Sequence, residues 1–596
     1  MSLDAWLTLG LLGATLALLL GTKLPPAAVF LGALTVSITL GLAPVDASLS
    51  GFSNNGVLTV GALFMVAAGM YSTGAISLIG DRLIGRPKSE EQVQARVLPP
   101  VAIGSAFLNN TPLVAMMIPV IRDLCRNTGL AASKLFIPLS FASILGGTTT
   151  LIGTSVNLII GGLILDEIAR GNAGAPPMRE IQMFDPSWVA VPAAVLGIAF
   201  IVIAGRWLLP ERRIGVGEIA KRVYGAEFVL LEESGLIGRT LEETGASEPT
   251  GFELRGLWRA DGSPVELKPA AMFAAGDVVA VSADIDALPD LWTTFGVRPL
   301  KEGHPMTTPR YTHSLVEVVV SPQSSVVGRL ISDLPLPDSP YRFSLVGVSR
   351  AGKPLEERLD DIRIEVGDNA VLEVDDAFCY VARNEQEFSL QKPLEGYRIR
   401  RWHRAAAATV IMVAMVTVVT LGWMSMLNAA LLATGAMLLS GCMSLRSAAH
   451  SVDFATLVAL AAAIGVAAAV SESGLADAIA RGLRRVGAGN PYGALAAVFV
   501  GHVIMGNLIT TAASAVFMFP IAVSLAGSLG VSFMPFAITL MIGMVGATIT
   551  PAAYQTNLMV YEPGGYTTWD FVRLGVPLTL LVGAVTIFLA PVAFPF

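Results

Sequence analysis

Charged and metal-binding side chains are scarce in this chain of 596 residues. Only 14% of the residues are Asp, Glu, Lys or Arg and 53% are hydrophobic, which excludes a soluble globular protein of ordinary composition. The cysteines Cys125, Cys379 and Cys442 lie far apart in unlike contexts, so neither a disulfide framework nor a metal cluster is indicated. The first apolar run follows Asp4 with no Lys or Arg before it, so the basic region of a cleaved signal peptide is missing. Long apolar segments recur instead, and they predict an α-helical polytopic membrane protein.

A segment of different composition divides the membrane part in two. Between residues 211 and 397 charges become frequent, and short alternating runs such as DVVAVSAD predict half-buried strands. This insert is doubled, because GLIGRTLEE at Gly235 is echoed by SVVGRLISD at Ser325, and FAAGDVVAVSAD at Phe273 by IEVGDNAVLEVDD at Ile364. The Gly-Asp pair before each final strand predicts a turn. We therefore expect an α/β insert of two similar lobes, with domains at 1–210, 211–300, 301–397 and 398–596.

The two membrane halves repeat each other about 400 residues apart. NNTPLVAMMIPV at Asn109 is answered by TTAASAVFMFPI at Thr510, and GTSVNLII at Gly153 by PAAYQTNLMV at Pro551. Each half contains three apolar spans, a shorter apolar segment with the polar motif, an interrupted span and a last span. If the motif segment turns back as a re-entrant hairpin, each half crosses the membrane five times. The odd number predicts two inverted repeats.

Basic residues in short loops indicate the direction of the chain. In this topology most clusters of Lys and Arg fall on one side, including those at 82–96, 122–134, 206–213 and 398–404. Basic short loops favour the cytoplasm, so we expect a cytoplasmic insert and external termini in a protein of the inner membrane. The cluster at 481–485 falls on the opposite side.

Amide and hydroxyl side chains interrupt the apolar segments at four places. In SAFLNNTPLVAMMIPV, Asn109, Asn110 and Thr111 stand where the first hairpin would turn, and Thr510 and Thr511 stand at the second turn. The segments GGTTTLIGTSVN and GATITPAAYQTN supply the other two breaks. Backbone that leaves the helix inside a membrane is tolerated only where it is buried in protein or lines a wet cavity.

Such breaks offer ligands of two kinds. Amide, hydroxyl and carbonyl oxygens suit a small hard cation such as Na⁺, and the N–H groups at helix N-termini attract an anion. A single Asn or Thr in a transmembrane helix more often makes a packing hydrogen bond. Because four breaks recur at one spacing, we expect them to meet near the midplane in a substrate and coupling-ion site. The expected substrate ligands are Asn109, Asn110, Thr111, Asn157, Thr510, Thr511 and Asn557.

These motifs resemble the divalent anion:sodium symporter family, whose members carry a Ser-Asn-Thr motif in each of two re-entrant hairpins and a broken helix after each. Asn109-Asn110-Thr111 matches the first motif with Asn in place of Ser. YQTNLMVYEPGGY from Tyr554 is similar to the subgroup of sodium/sulfate symporter-like permeases. That subgroup carries paired domains, similar to the C-terminal lobe of potassium-channel RCK regulators, between its halves.

The resemblance also implies sodium ligands and a coupling ion. The ligands of the first ion fall on Ser105, Asn109, Asn110 and Gly153, and those of the second on Asn507, Thr511, Ile549 and Thr550. The second motif reads Thr510-Thr511-Ala512, with Gly506 where the family has Thr, so an amide and a hydroxyl are missing there. Two-sodium stoichiometry therefore stays open.

Substrate choice depends on the same polar atoms. The expected site has no Arg or Lys to bind a carboxylate with two hydrogen bonds, whereas neutral amides and helix N-termini suit a compact oxoanion balanced by Na⁺. Sulfate or a related sulfur oxoanion ranks first, and a C4-dicarboxylate or citrate second. The inverted halves imply an elevator mechanism, and the resemblance implies a homodimer in membrane lipid.

The sequence also bears on functions other than symport. The insert has no Gly-x-Gly-x-x-Gly between strand and helix and the chain shows no catalytic constellation, so we expect neither an enzyme nor an organic cofactor. No Thr-Val-Gly-Tyr-Gly filter occurs, which excludes a potassium channel of that type. An anion-sensing receptor without net flux remains the alternative. The insert offers a place for a cytoplasmic small-molecule regulator, and no nucleic-acid partner is expected.

Overall fold

A computed structural model describes residues 2–596 apart from 23, 74–88, 109, 172–175, 213–222, 232–233, 235, 242–251, 285–296, 300–313, 322–323, 325, 334–342, 351–352, 356–357, 375–387, 394–401 and 488. The chain forms two compact units. The membrane unit contains Met1–Ile214 and Arg401–Phe596, and the insert is Gly215–Arg400.

The described part of the membrane unit is helical. Its first half contains α1 (Leu3–Gly21), α2 (Pro26–Thr39), α3 (Val45–Leu49), α4 (Asn55–Ser72), α5 (Glu90–Ser105), α6 (Asn110–Thr128), α7 (Phe136–Gly147), α8 (Ser155–Arg170) and α9 (Ser187–Leu208). Its second half contains α10 (Trp402–Thr420), α11 (Met426–Leu439), α12 (Leu445–Ser451), α13 (Phe454–Glu472), α14 (Leu475–Val486), α15 (Pro491–Leu508), α16 (Thr511–Leu529), α17 (Met534–Gly543), α18 (Gln555–Tyr561) and α19 (Thr568–Ala593). Among the described residues, eight helices are long and apolar enough to cross a membrane. The architecture is that of a polytopic membrane protein.

The order of elements in the first half recurs in the second. Helices α2 and α11 both have 14 residues, and α6 and α16 both have 19. The short segment predicted around each polar motif is a pair of helices, α5 with α6 and α15 with α16, that meet at the motif. Each arm has 16 to 19 residues.

Both interrupted spans break where Gly and Thr are dense. Helix α7 ends at Gly147, and α8 begins only at Ser155, with the Thr154 hydroxyl accepting from the backbone N–H of Val156. The hydroxyls of Thr148 and Thr149 donate to carbonyls three residues earlier, and such bonds compete with helix propagation. The 12 residues of α7 span about 18 Å, so the break lies roughly half-way across a hydrocarbon core of about 30 Å.

Glycines bring the two halves into close contact. Helix α2 packs on α13, α4 on α11, and α9 on α19. A Cβ added at Gly51 would lie 2.1 Å from the Ala461 carbonyl oxygen, and one added at Gly465 would lie 2.0 Å from that of Ser48. Small residues at helix interfaces permit such backbone approach in a membrane, where the hydrophobic effect does not drive helices together.

The described residues of the insert form one nine-stranded sheet. Its strands are β1 (Val223–Leu230), β2 (Phe252–Trp258), β3 (Val278–Asp284), β4 (Val297–Pro299), β5 (Ser314–Val320), β6 (Phe343–Arg350), β7 (Lys353–Pro354), β8 (Asn369–Val374) and β9 (Phe388–Pro393). The order is β2-β3-β1-β6-β8-β5-β9, with β4 beside β1 and β7 beside β6. No α-helix of the insert lies within the described residues, so the α part of the expected lobes stays a prediction.

The doubled motifs of the insert adopt the same turn. Gly276 and Gly367 have φ of 82° and 86°, the left-handed region that glycine tolerates. Asp277 and Asp368 follow them and accept backbone N–H groups of their own turns at 2.8 Å. The structure thus confirms the turn predicted for both Gly-Asp pairs.

Candidate functional site

The tip of the first hairpin is bound to the first helix break. The Ser105 hydroxyl donates to the Ser143 carbonyl at 2.8 Å and contacts the amide oxygen of Asn110. Asn110 is fully buried at the start of α6, and the Thr150 hydroxyl donates to the carbonyl of Ala106. Asn109 lies outside the described residues. The hairpin tip is therefore level with the break, half-way along the interrupted span.

Oxygen atoms crowd around the glycines of this break. A Cβ at Gly153 would lie 2.4 Å from the Gly147 carbonyl oxygen and 2.9 Å from that of Ser105. A Cβ at Gly147 would lie 2.7 Å from the Asn110 amide oxygen. Carbonyl, amide and hydroxyl oxygens therefore surround a space that only glycine leaves open. This donor set is of the kind that suits a hard cation such as Na⁺, and the sodium-binding roles expected for Ser105, Asn110 and Gly153 stay a prediction.

The second hairpin meets the second break through different contacts. Asn507 donates to the Gly546 carbonyl at 2.8 Å, and its amide oxygen accepts from the Thr550 hydroxyl at 3.0 Å. The N–H of Ile549 donates to the same Gly546 carbonyl at 3.2 Å. Asn507 and Thr550 are thus brought together. The amide oxygen of Asn507 and the hydroxyl of Thr550 are, however, already bonded to each other.

The two residues at the turn of the second hairpin differ in exposure. Thr510 is exposed and its hydroxyl accepts from the backbone N–H of Ala513 at 3.2 Å, so it caps α16. Thr511 is buried, and a Cβ at Gly506 would lie 3.3 Å from its methyl carbon. The second tip therefore presents fewer converging oxygens than the first.

Side chains of the first hairpin bond directly to the second break. The Asn110 amide donates to the Tyr554 hydroxyl at 2.9 Å, and the Thr111 hydroxyl donates to the Gln555 amide oxygen at 3.3 Å. Tyr554 and Gln555 are not among the site residues predicted from the sequence. Both belong to the YQTN run of the second break, but nothing in the sequence indicates their partners.

Two equivalent asparagines hold the breaks in shape. Asn157 donates to the Thr150 carbonyl at 2.7 Å, and Asn557 donates to the carbonyls of Ala547 and Thr550 at 2.8 and 3.1 Å. Both side chains are fully buried. Asn557 also accepts from the Ser140 hydroxyl at 2.7 Å, which ties α18 to α7. Their amide N–H groups are engaged with loop backbone.

A cleft of about 30 Å³ leads to the first break from the side of α4. Val60 and Phe64 line it on α4, and Gly153 and Thr154 line it on the break. Its size admits about one water molecule. Among the described residues, no Lys or Arg lines this cleft.

Helices α4 and α8 are joined by one polar contact near this cleft. Asn54, buried at the N-terminus of α4, donates to the Asp166 carboxylate at 2.7 Å, and its amide oxygen accepts from the backbone of Gly56 and Val57. A Cβ at Gly56 would lie 2.3 Å from the carbonyl oxygen of Leu158 in α8. The two helices are therefore in backbone contact.

Comparisons with known proteins bear on what this site does. Residues 16–543 match the citrate transporter family. The chain is 29% identical over 569 residues, 93% of its length, to 95% of a Chlamydomonas reinhardtii protein whose name describes it as a sulfur deprivation response regulator. It is 27% identical to the uncharacterized transporter YfbS of Escherichia coli, over 93% of each chain. It is also 31% identical to sodium/sulfate cotransporter 1 of Chlamydomonas reinhardtii, over 55% of this chain and 38% of that protein.

These matches confirm the resemblance to anion symporters that the motifs predicted, while the likeness of the insert to RCK lobes stays a prediction. The family match covers most of the chain, and the relatives that cover nearly all of it include a transporter. The chain belongs to the citrate transporter family and is a multi-pass membrane transporter of anions.

Proposed function

We propose that this protein is a sodium-coupled symporter of sulfate or a related sulfur oxoanion. The observation that carries the proposal is the group of oxygens around Gly153, which is bounded by Ser105 and Asn110 and closed by Tyr554 of the other half. A cation in this position would offset the charge of an anion at the adjoining helix N-termini. The names of three relatives, which are sodium/sulfate cotransporters, support the same ion and substrate.

The substrate is inferred from which donors are present. Thr111, Thr510 and the N-termini of α6 and α16 offer neutral hydroxyl and N–H donors, and the described residues in contact at the site supply no guanidinium or ammonium group. A tetrahedral oxoanion accepts such bonds in any orientation, whereas a flexible dicarboxylate is usually fixed by Arg. Citrate or a C4-dicarboxylate is the second candidate, and the name of the family favours it.

Sodium ligands divide into two sets in this proposal. The first ion is bound by Ser105, Asn109, Asn110 and Gly153. The second set, Asn507, Thr511, Ile549 and Thr550, holds an ion less tightly because Asn507 already accepts from Thr550. Asn157 and Asn557 contribute to substrate binding by fixing the two breaks.

An elevator movement of two inverted repeats is the proposed transport mechanism. The mobile body comprises 99–165 and 491–561, and the scaffold comprises 6–79 and 405–479. In the first half scaffold helix α4 packs on broken helix α8, while in the second half scaffold helix α13 packs on hairpin helix α16. Unequal contacts in two similar halves are expected if the halves exchange conformations during transport. The backbone contact between Gly56 of α4 and Leu158 of α8 must then open in each cycle.

The distribution of basic loops supports the side of the membrane proposed for each segment, and the resemblance to the symporters supports a dimer. We infer a homodimer in the inner membrane, with external termini and a cytoplasmic insert that regulates transport by binding a small molecule.

Uptake into proteoliposomes tests the proposal. Labelled sulfate should accumulate when a sodium gradient is imposed and should not accumulate in choline buffer of the same ionic strength. Excess citrate and succinate should compete weakly. Sulfate binding without accumulation would favour an anion-sensing receptor, a role that the name of the algal regulator supports. Accumulation driven by a pH gradient alone would exclude sodium coupling.

A further inference from the structure

The two lobes of the insert contain an equivalent buried acid with unequal partners. Glu227 in β1 and Glu317 in β5 lie 90 positions apart, the spacing of the doubled motifs, and are 3% and 2% exposed. The Tyr224 hydroxyl donates to Glu317 at 2.7 Å. One oxygen of Glu227 accepts from the backbone N–H of Leu359 at 3.1 Å, and the other has no partner among the described residues. A buried carboxyl oxygen without a hydrogen-bond partner is costly, so a group that bonds to it is favoured at this position.

A cavity of about 180 Å³ adjoins Glu227. Arg255 and Trp258 line it from β2, and Arg358 lines it from the turn before Leu359. The guanidinium of Arg358 lies 5.3 Å from the centre of the Trp258 ring. The cavity is therefore lined by a buried acid and by two exposed cationic groups.

The cavity is lined by residues of both lobes, but the second lobe has no counterpart of Arg255. Strand β2 has a register shift between Leu254 and Gly256, and β6 has one between Leu345 and Gly347, so Arg255 and Val346 are equivalent bulge residues. A bulge directs its extra residue away from the regular pattern of the strand. Val346 is fully buried, whereas Arg255 is exposed beside the cavity. The bulge of the second lobe is thus filled by an apolar side chain, whereas the bulge of the first lobe places a charged side chain beside the cavity.

We propose that this cavity, called the Glu227 cavity, binds a small zwitterion of the amino acid class. Its ammonium group bonds to the carboxyl group of Glu227, and its carboxylate bonds to Arg255 and Arg358. A carboxylate and a guanidinium form strong charge-assisted bonds with such partners. The volume lies below the roughly 300 to 1,000 Å³ of sites for drug-sized ligands, which excludes larger regulators.

The Glu227 cavity supplies a ligand class for the regulatory role that is proposed above. Only the effect of the ligand on transport rests on that role. Binding itself is a property of the insert, so it is measured without a substrate gradient. If an amino acid binds but does not change sulfate uptake, the regulatory role is wrong and the binding site stands.

Calorimetry and tryptophan fluorescence on the full-length protein in detergent test the proposal. The probes are glycine, L-alanine, L-serine and L-cysteine, with ethylamine and propionate as analogues of alanine that keep only one charged end. At least one amino acid should bind, and both analogues should bind at least about tenfold more weakly, because each loses a charge-assisted bond. Equal binding of either analogue, binding by none of the four amino acids, or binding of adenosine monophosphate alone would overturn the assignment.

Variants locate the site. Glu227→Gln and Arg358→Met should each weaken amino acid binding at least about tenfold. Glu317→Gln is the matched control, since its carboxyl group is bonded to Tyr224 and lies outside the cavity lining. Thermal unfolding of each variant establishes that the insert is folded. If the folded Glu227→Gln protein binds as the parent does, or Glu317→Gln weakens binding equally, the Glu227 cavity is not the site.

Discussion

The Asn110 amide donates a hydrogen bond to the Tyr554 hydroxyl at 2.9 Å, although 444 positions separate the two residues in the chain. Asn110 also contacts Ser105 within the first hairpin and lies against Gly147 at the first break, so one side chain joins the first hairpin to both breaks. Its amide oxygen faces the proposed cation and its amide nitrogen faces the other half. This division of roles links ion binding to contact between the halves.

Replacing either partner of that bond should weaken sodium coupling. In Asn110→Ala the first ion loses an oxygen ligand, so the sodium concentration for half-maximal sulfate uptake should rise about tenfold or more. Tyr554→Phe keeps the ring and should raise it by about three- to tenfold. The double variant should resemble Asn110→Ala alone, because the two residues share one interaction. Strictly additive effects would mean that the bond does not contribute to coupling.

A methyl group at Gly153 should abolish sodium-dependent uptake. It would lie within 2.4 Å of the Gly147 carbonyl oxygen and would fill the space assigned to the ion. Gly161→Ala is the control, because its Cβ would meet only the Leu151 side chain at 3.4 Å, an ordinary contact. Sodium-dependent tryptophan fluorescence, measured beside uptake, separates lost binding from lost movement. Normal sodium activation in Gly153→Ala would exclude an ion in that space.

Cysteine labelling tests the alternating movement of the hairpins. Thr510→Cys, which replaces an exposed residue, should react with an impermeant reagent added outside, and sodium with sulfate should slow the reaction. Thr511→Cys, one residue further and buried, should react much more slowly in the same state. Asn109→Cys should react from the cytoplasm. Reaction of both tips from a single side under all ligand conditions would exclude exchange between two inverted repeats.

Glu227 should make the stability of the insert depend on pH. Burial raises the pKa of Glu227 above its ordinary value of 4.5, and Asp360 and Asp361 raise it further, while the Leu359 N–H and Arg358 oppose the rise. Arg255 lines the same cavity. Between 4.5 and the raised pKa the folded insert binds more protons than the unfolded one, so its stability falls as pH rises through that interval.

Glu227→Gln should remove this dependence, because the amide carries no charge at any pH. The thermal unfolding midpoint of the Glu227→Gln protein should exceed that of the parent by more at pH 8 than at pH 4. The zwitterion should have the opposite pH trend, since its ammonium group prefers the ionised carboxylate that dominates above the pKa. An equal midpoint difference at both pH values would show that Glu227 does not titrate in this range.

The sequence predicts the parts of this protein better than their contacts. Polar breaks at Asn110 and Thr510, the doubled insert and the Gly-Asp turns all depend on local chemistry, and local chemistry can be recognised from neighbouring residues. The pairing of Asn110 with Tyr554 depends on how two distant segments pack, which no local pattern encodes. Likewise, Glu227 reads as an ordinary strand acid until the structure shows which of its oxygens Leu359 satisfies.

The distance along the chain between Asn110 and Tyr554 also affects how the protein is made. At about 5 to 20 residues per second, a ribosome needs roughly 20 to 90 s to reach Tyr554 after Asn110. During that time the Asn110 amide has no tyrosine partner, and an unpaired amide is unfavourable in lipid. The first hairpin should therefore enter the bilayer late, after the insert has been synthesised and the second half has arrived. A nascent chain halted before residue 554 should leave that hairpin open to protease.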